Sequence, residues 1–478
     1  MPVDTLHPEY EAHVADWSLM RDVVKGQKAI QKAGTKYLPK LTDQSPEEYE
    51  DYKKRATFFN ATGRVVDALT GMVFRKDAKL VVPESLNPVI ADVTLNAVPF
   101  EQFAETLVEE VMEVNRAGVL VDFPDAAAVA GDQVVTKPVA EQLGLRVYAS
   151  IYKAEDIINW RVERVGGKSV LSMVVLQEVA EEIDPADPFS LKRVRQYRVL
   201  ELLDGKYMQS VWQENGNSGG MGSWVLVKRA FPKRAGKPLD HIPFEFFSAE
   251  GGESCVRQPV LYDLAAVNLA HYRNTADHEH GLHFTGLPTA VISGVKANDN
   301  ESYRIGSTTA WVFSDPAAKA TYLEFKGEGL KALSDAIKDK EAQMAALGAR
   351  MLSPEKRDAE AAETVAQKRQ GETSTLAALA NSVSRGLTRV LQMMAAWENV
   401  DGVKISVKLN TDFVAVPMQP QQITALLQAV MTGNLSQQSF YDALIRGEVV
   451  TGARDYEAEK ALIDEAGMNT AEPVDEDA

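Results

Sequence analysis

The 478-residue chain is 45% hydrophobic and 25% charged, and its 68 Asp+Glu against 51 Lys+Arg give a formal net charge of −17. That balance argues against a protein that grips nucleic acid through a broad cationic surface, because such binding is driven by phosphate neutralisation. The single cysteine, Cys255, excludes an internal disulfide framework, and neither a secretory pattern at MPVDTLHPEYEAHVADW nor an apolar run of membrane-spanning length is present, so a reducing compartment and no membrane partner are expected.

The first ~80 residues read as helical. SPEEYEDYKKRATFFNATGRVVDALTGMVF opens with a Ser45 cap and an acidic first turn, then places Tyr49, Tyr52, Ala56, Phe59, Val66, Leu69 and Val73 mostly three or four residues apart. PFEQFAETLVEEVMEVNRAG predicts a second helix ending near Gly118, and VLVDFP a buried strand. From about 145 to 250 the period changes to two, with strands at SVLSMVVLQEV, RVRQYRVLELL, KYMQSVWQE and SWVLVKRAF, a hairpin turn at Asp204-Gly205 and a loop tip at 215–222. No strand, glycine-rich turn and helix follow one another as a nucleotide-binding parallel sheet requires.

Helical spacing returns at QPVLYDLAAVNLAHYRNTADHEHG, with Pro259 suited to the first turn and Gly281 to the stop. Short strands are expected at TAVISGV, TTAWVFSD and KATYLEF, then a helix GLKALSDAIKDKEAQMAALG, a loop, and a long helix from about Ala359 to Trp397. Leu376, Leu379, Val383, Leu387, Val390, Met394 and Trp397 give that helix one apolar face in its second half; its first half is polar nearly all round. A strand VKISVKL, helices at QQITALLQAVMTG and SQQSFYDALIRG, and a solvated acidic tail from Asp455 complete the chain. The fold class is α+β.

HEHGLH holds His278, His280 and His283, three of the seven histidines. A metalloprotease helix needs two histidines four apart so that both face one zinc, and the residue four after His278 is Leu282. A histidine near a helix end serves equally well to cap carbonyls and complement the dipole. No phosphate-binding G-x-x-x-x-G-K-[ST] loop occurs, and GESCVRQ and GETSTL lack the G-x-S-x-G context of a serine nucleophile. Residues 348–370 are locally balanced in charge, with Arg350, Lys356, Arg357, Lys368 and Arg369 against four acidic residues. Neither a catalytic residue nor a cofactor is expected.

RATFFNATGRVVDALTGMVFRK, RAGVLVDFP, AEDIINWR, IPFEFF, LAHYRNTADHEHGLHFTGLPTAVISG, YLEFKGEGL, and MAALGARML followed by AETVAQKRQGETSTLAALA occur in an order that resembles the portal proteins of tailed double-stranded DNA bacteriophages. The resemblance covers residue 55 to about 380. It implies an elongated portal fold: N-terminal helices and a β-rich wing over 1–258, stem helix 1 at 259–281, a small β-containing clip at 282–326, stem helix 2 at 327–347 and a tunnel loop at 348–360. The long helix and return strand of the wing would fill 361–419, and a helical crown with the acidic tail 420–478.

The resemblance further implies a non-enzymatic homo-oligomer, a ring of about twelve copies at one capsid vertex. Such a ring conducts double-stranded DNA in packaging and ejection, with weak and non-specific contact, and docks the terminase large subunit, head-completion or tail adaptor proteins, and capsid and scaffold proteins. It would be assembled in the host cytoplasm and reside in the virion. An acidic wall repels phosphate, while Arg350, Ser353, Lys356 and Arg357 would form the constriction and Lys368 and Arg369 the helix beside it. His278, His280 and His283 become candidates for a pH-sensitive intersubunit contact where stem meets clip, and Trp311 and Phe313 for clip assembly or docking. Two rivals stand beside this reading: a metal-dependent hydrolase using the 278–283 histidines, and a helical cytoplasmic scaffold.

Overall fold

The computed structural model describes residues 2–124, 139, 143–184, 187–214, 224–252, 254–286, 289–293, 316–323, 328–352, 374–400, 402–413, 418, 420–447, 449–450, 454 and 456–469. These form two units, Met1–Thr411 and Asp412–Ala478.

Capping chemistry sets the first helices. His7 caps α1 (Pro8–Lys25) by accepting the Glu9 N–H at Nδ1, and Gly26, at φ 81°, turns the chain into α2 (Gln27–Ala33). Ser45 and Glu48 make the expected capping box of α3 (Pro46–Arg55). The helical run does not continue to Phe74. It breaks at Ala56 because Asn60 starts a new helix, α4 (Ala61–Val73), by accepting the Gly63 N–H. The break moves Phe59 out of the expected core, to 44% exposed, and buries Phe58 instead. After the short α5 (Asn87–Ala91), α6 (Phe100–Val114) is stopped by Asn115 in the left-handed region at φ 57°, three residues before the expected Gly118. Gly118 belongs to a strand, where a Cβ would collide with the Phe244 ring at 2.2 Å.

The strands are β1 (Lys79–Val81), β2 (Ala117–Asp122), β3 (Tyr148–Lys153), β4 (Ile157–Val165), β5 (Lys168–Asp184), β6 (Asp187–Leu203), β7 (Lys206–Glu214), β8 (Trp224–Ala230), β9 (Lys233–Arg234), β10 (Lys237–Pro238), β11 (Phe244–Phe247), β12 (Thr289–Ser293), β13 (Lys319–Leu323) and β14 (Ser406–Lys408). β4 to β8 form an antiparallel meander in sequence order, and β11-β2-β3 a second antiparallel sheet. Asp204 and Gly205, at φ 50° and 72°, close the β6–β7 hairpin as the two positive-φ positions of a type I′ turn require. The loop expected at 215–222 lies outside the described residues.

The later helices are α7 (Tyr262–Gly286), α8 (Glu328–Arg350), α9 (Thr375–Trp397), α10 (Pro420–Met431), α11 (Gln437–Arg446) and α12 (Tyr456–Asn469). α9 buries the expected stripe from Leu376 to Met394 against β2 and β11, and Trp397 stacks on Phe123 with ring centroids 5.9 Å apart. Gly386 admits the Phe247 ring where a Cβ would stand 2.3 Å from it. Ser384 Oγ accepts the Leu409 N–H and Thr388 Oγ1 the Val407 N–H, which ties α9 to β14; β14 in turn pairs with β1 from the other end of the unit.

In the second unit, α11 is capped by Ser436. The region expected to be a solvated tail is helical over Tyr456–Asn469: Glu457 and Glu459 suit a helix start, and Tyr456 donates to Gln437 Oε1 at 3.0 Å.

Candidate functional site

α7 and α8 pack along each other. Gly281 lies against Leu330 and His271 against Glu341, so ten residues back along one helix correspond to eleven forward along the other: the pair is antiparallel. Beyond it, β12 follows α7 and β13 precedes α8, and they pair antiparallel from Thr289↔Leu323 to Ser293↔Lys319.

Gly281 does not stop α7, which continues to Gly286. A Cβ there would meet Leu330 Cδ2 at 2.6 Å, so glycine permits close approach of the two helices. The helix begins at Tyr262, whose N–H donates to Pro259, three residues after the expected start.

The base of α7 is anchored in the helical core. Asn268, fully buried, accepts from the Thr62 N–H (3.1 Å) and the Thr62 hydroxyl (3.0 Å) and donates to Phe59 O (2.8 Å). Further along, Tyr52 of α3 donates to Asp277 Oδ1 at 2.5 Å and sets its ring edge-on to His280, centroids 5.2 Å apart. Burial first, then the Asp277 carboxylate, pushes the Tyr52 phenol far above its ordinary range. Burial, then Arg55 and His283, lowers the His280 pKa against the opposing pull of Asp277 and Glu48.

On a helix continuous through Gly281, His280 and His283 lie on neighbouring faces, and His278 lies about 200° round from His280. Among the described residues no three His, Cys, Asp or Glu side chains gather as metal ligands. GETSTL is also accounted for locally: Ser374 Oγ caps α9 by accepting the Ala377 N–H.

The far end of α8 returns to the core. Gly348 packs against Val65 of α4, Met344 and Met351 are buried, and Arg350, exposed, is the last residue of the helix. Met351 O then accepts the Leu376 N–H at 3.0 Å. The chain therefore leaves this point and comes back to it, with residues 352–375 between. α9 starts at Thr375 and Ser374 is extended at φ −69°, ψ 160°, so no helix runs through Ser374 as expected; the expected stretch over 359–373 lies outside the described residues. Ser353, Lys356, Arg357, Lys368 and Arg369 lie outside the described residues, as do Trp311 and Phe313.

Sequence reasoning missed the buried charges of the β-rich region. Arg116 lies between two aromatic rings, 4.1 Å from the Trp160 centroid and 4.7 Å from Phe246, and donates to Ser254 O; burial lowers its pKa to about 10. Arg21 of α1 joins Glu110, Glu113 and Glu155. Glu178 accepts from Arg198, Tyr152 and Gln196 beside a cavity of about 470 Å³ lined by Leu120, Tyr148, Tyr152, Asp156 and Arg198. The one signal for Arg116 was an arginine opening an otherwise apolar run, RAGVLV.

A family model described as a domain of unknown function (DUF4055) matches residues 260–398, from the start of α7 to the end of α9. No curated protein matches. The chain is similar to a chain of the virion of a native gene transfer agent particle, at 11% identity and TM-score 0.38, covering 88% of this chain and 98% of that one. It is likewise similar to a chain in the neck of the empty particle computed with C6 symmetry (12%, TM-score 0.38, covering 80% and 89%) and to one in the neck of the native particle computed with C12 symmetry (13%, TM-score 0.36, covering 88% and 98%). TM-scores at this level do not establish a shared fold.

Proposed function

We propose that this chain is a portal-type ring subunit that conducts double-stranded DNA through a phage capsid vertex. The observation that carries the reading is the route of the chain from α7 to α9: out along one helix, past the β12–β13 pair, back along an antiparallel helix, and through a 24-residue excursion whose ends are hydrogen-bonded at Met351 and Leu376. In a ring, α7 and α8 would be the stem, the β-pair part of the clip, and the excursion the tunnel segment, with Arg350 at its root.

The charge fits transport. A net charge of −17 repels duplex DNA from most of the subunit, and the few cations of the excursion, Lys356, Arg357, Lys368 and Arg369 with Arg350, give contacts that break as fast as they form. His278, His280 and His283, with Tyr52 and Asp277 beside them, would sit on the stem towards the clip. Docking of a packaging ATPase and of tail adaptors would fall to the clip end, where Trp311 and Phe313 lie in sequence.

Electron microscopy of the purified protein with mass photometry tests the proposal. Hollow rings of about a dozen copies are expected. A compact monomer or dimer at every concentration and salt would overturn it.

A further inference from the structure

Two stretches of the helical region carry charge of one sign without compensation. Between Val23 and Leu41 there are five lysines and no acidic residue; between Phe100 and Val114 there are five glutamates and no basic residue. Part of each set is used internally: Lys36 pairs with Asp22, and Glu110 and Glu113 with Arg21. Lys25, Lys28 and Lys32 on one side, and Glu101, Glu105 and Glu109 on the other, are exposed and form no ion pair among the described residues.

Neither arrangement favours the isolated subunit. Glu101, Glu105 and Glu109 are four residues apart, a spacing that stacks like charges along one helix face. Asp67 of α4 adds a further negative charge, and burial together with Glu105, Glu113, Asp67 and Glu110 raises the Glu109 pKa. Gln27 and Gln31 donate to Ala56 O and Lys53 O and hold α2, with Lys28 and Lys32, against the end of α3. Glu101 to Glu109 spans about 12 Å along α6, while Lys28 and Lys32 stand about one turn apart on α2 and Lys25 ends α1 before the turn at Gly26.

We propose that copies of this chain join head to tail, the lysines of one, Lys28 and Lys32 on α2 with Lys25 at the end of α1, against the Glu101–Glu105–Glu109 face of the next. Two different, complementary patches on one subunit make a heterologous contact, the kind that closes into a ring when the rotation allows. The charges steer and register the contact, with neighbouring packing supplying further affinity. The inference rests on the ring reading above and adds to it which surfaces meet.

Charge reversal tests it on the full chain. K28E/K32E makes both faces acidic and E105K/E109K makes both basic; all four positions are exposed, and circular dichroism checks that each variant stays folded. Each variant alone should need at least about tenfold more protein than the wild type for half-assembly, while an equimolar mixture should assemble like the wild type, because only unlike variants present complementary faces. Raising salt from about 0.05 to about 0.5 M should weaken wild-type assembly.

Wild-type-like assembly of either variant alone, or a mixture of folded variants that stays apart, overturns the interface and leaves the ring reading intact. K28E/K32E that assembles normally but loses binding to duplex DNA would also overturn it and assign the lysines to nucleic acid. A wild type that never assembles removes the ring reading and this interface together.

Discussion

α7 and α9 are helices of nearly equal length, 25 and 23 residues, with opposite logic. α9 buries thirteen residues along its whole length, and the side chains that do so repeat every three or four positions. α7 is buried only in its first half, by Leu264, Ala265, Leu269, Tyr272 and Ala276 together with the polar Asn268 and His271; beyond Ala276 its described side chains are half-buried or exposed. A helix held by apolar area along its whole length shows its period throughout. α7 shows it only up to Ala276, and past that point its sequence does not say what it packs against.

The contrast is sharpest at leucine. Leu387→Ala in α9 should cost about 2–5 kcal/mol, the range for deleting a fully buried leucine, read from the shift of the urea midpoint at constant slope. Leu282→Ala in the outer half of α7, where the leucine is 42% exposed, should stay within about 0.5 kcal/mol. Equal losses at the two sites would erase the distinction.

Asn268→Ala should be the costly change on α7, at about 1–3 kcal/mol, because it leaves Phe59 O and the Thr62 N–H without their partner in a buried place. An Asn268→Ala protein as stable as the wild type would show that the polar anchor contributes nothing net. Ser374→Ala removes only a cap and should lose about 1 kcal/mol, with faster hydrogen exchange confined to the first turn of α9. A change spread along the whole helix would contradict Ser374 as its start.

The smallest expected effect is one of pH. Burial lowers the folded His280 pKa below its ordinary value of 6.5, so the unfolded chain binds more protons in that window. The contribution of His280 is therefore full above pH 6.5 and is lost as the pH falls through the folded value. The α3–α7 contact should loosen on acidification, seen as faster exchange at Tyr52 and its neighbours, and His280→Gln should flatten that response. The same response in the His280→Gln variant would assign it to another group.

Portions of this were legible beforehand for one reason: they depend on neighbours in sequence. The Ser45–Glu48 box, the Asp204-Gly205 turn, the alternating strands of the meander and the stripe of α9 each follow from residues within a few positions of one another. The candidate site was legible only as an order of segments and a cluster of histidines. Gly281 has the residue type of a helix stop and was expected to be one; that it serves a close approach depends on Leu330, forty-nine positions away.

By itself, then, the sequence determined an α+β chain with a −17 charge, its turn and cap positions, and which face of α9 is apolar. The tertiary structure alone decided the antiparallel course of α7 and α8, the start of α9 after Ser374, the Met351–Leu376 closure and the pairing of β1 with β14. The physical reason is that period and capping are satisfied within one turn or one hairpin. A long-range contact is instead selected by the free energy of burying two distant segments together, which neither segment states on its own.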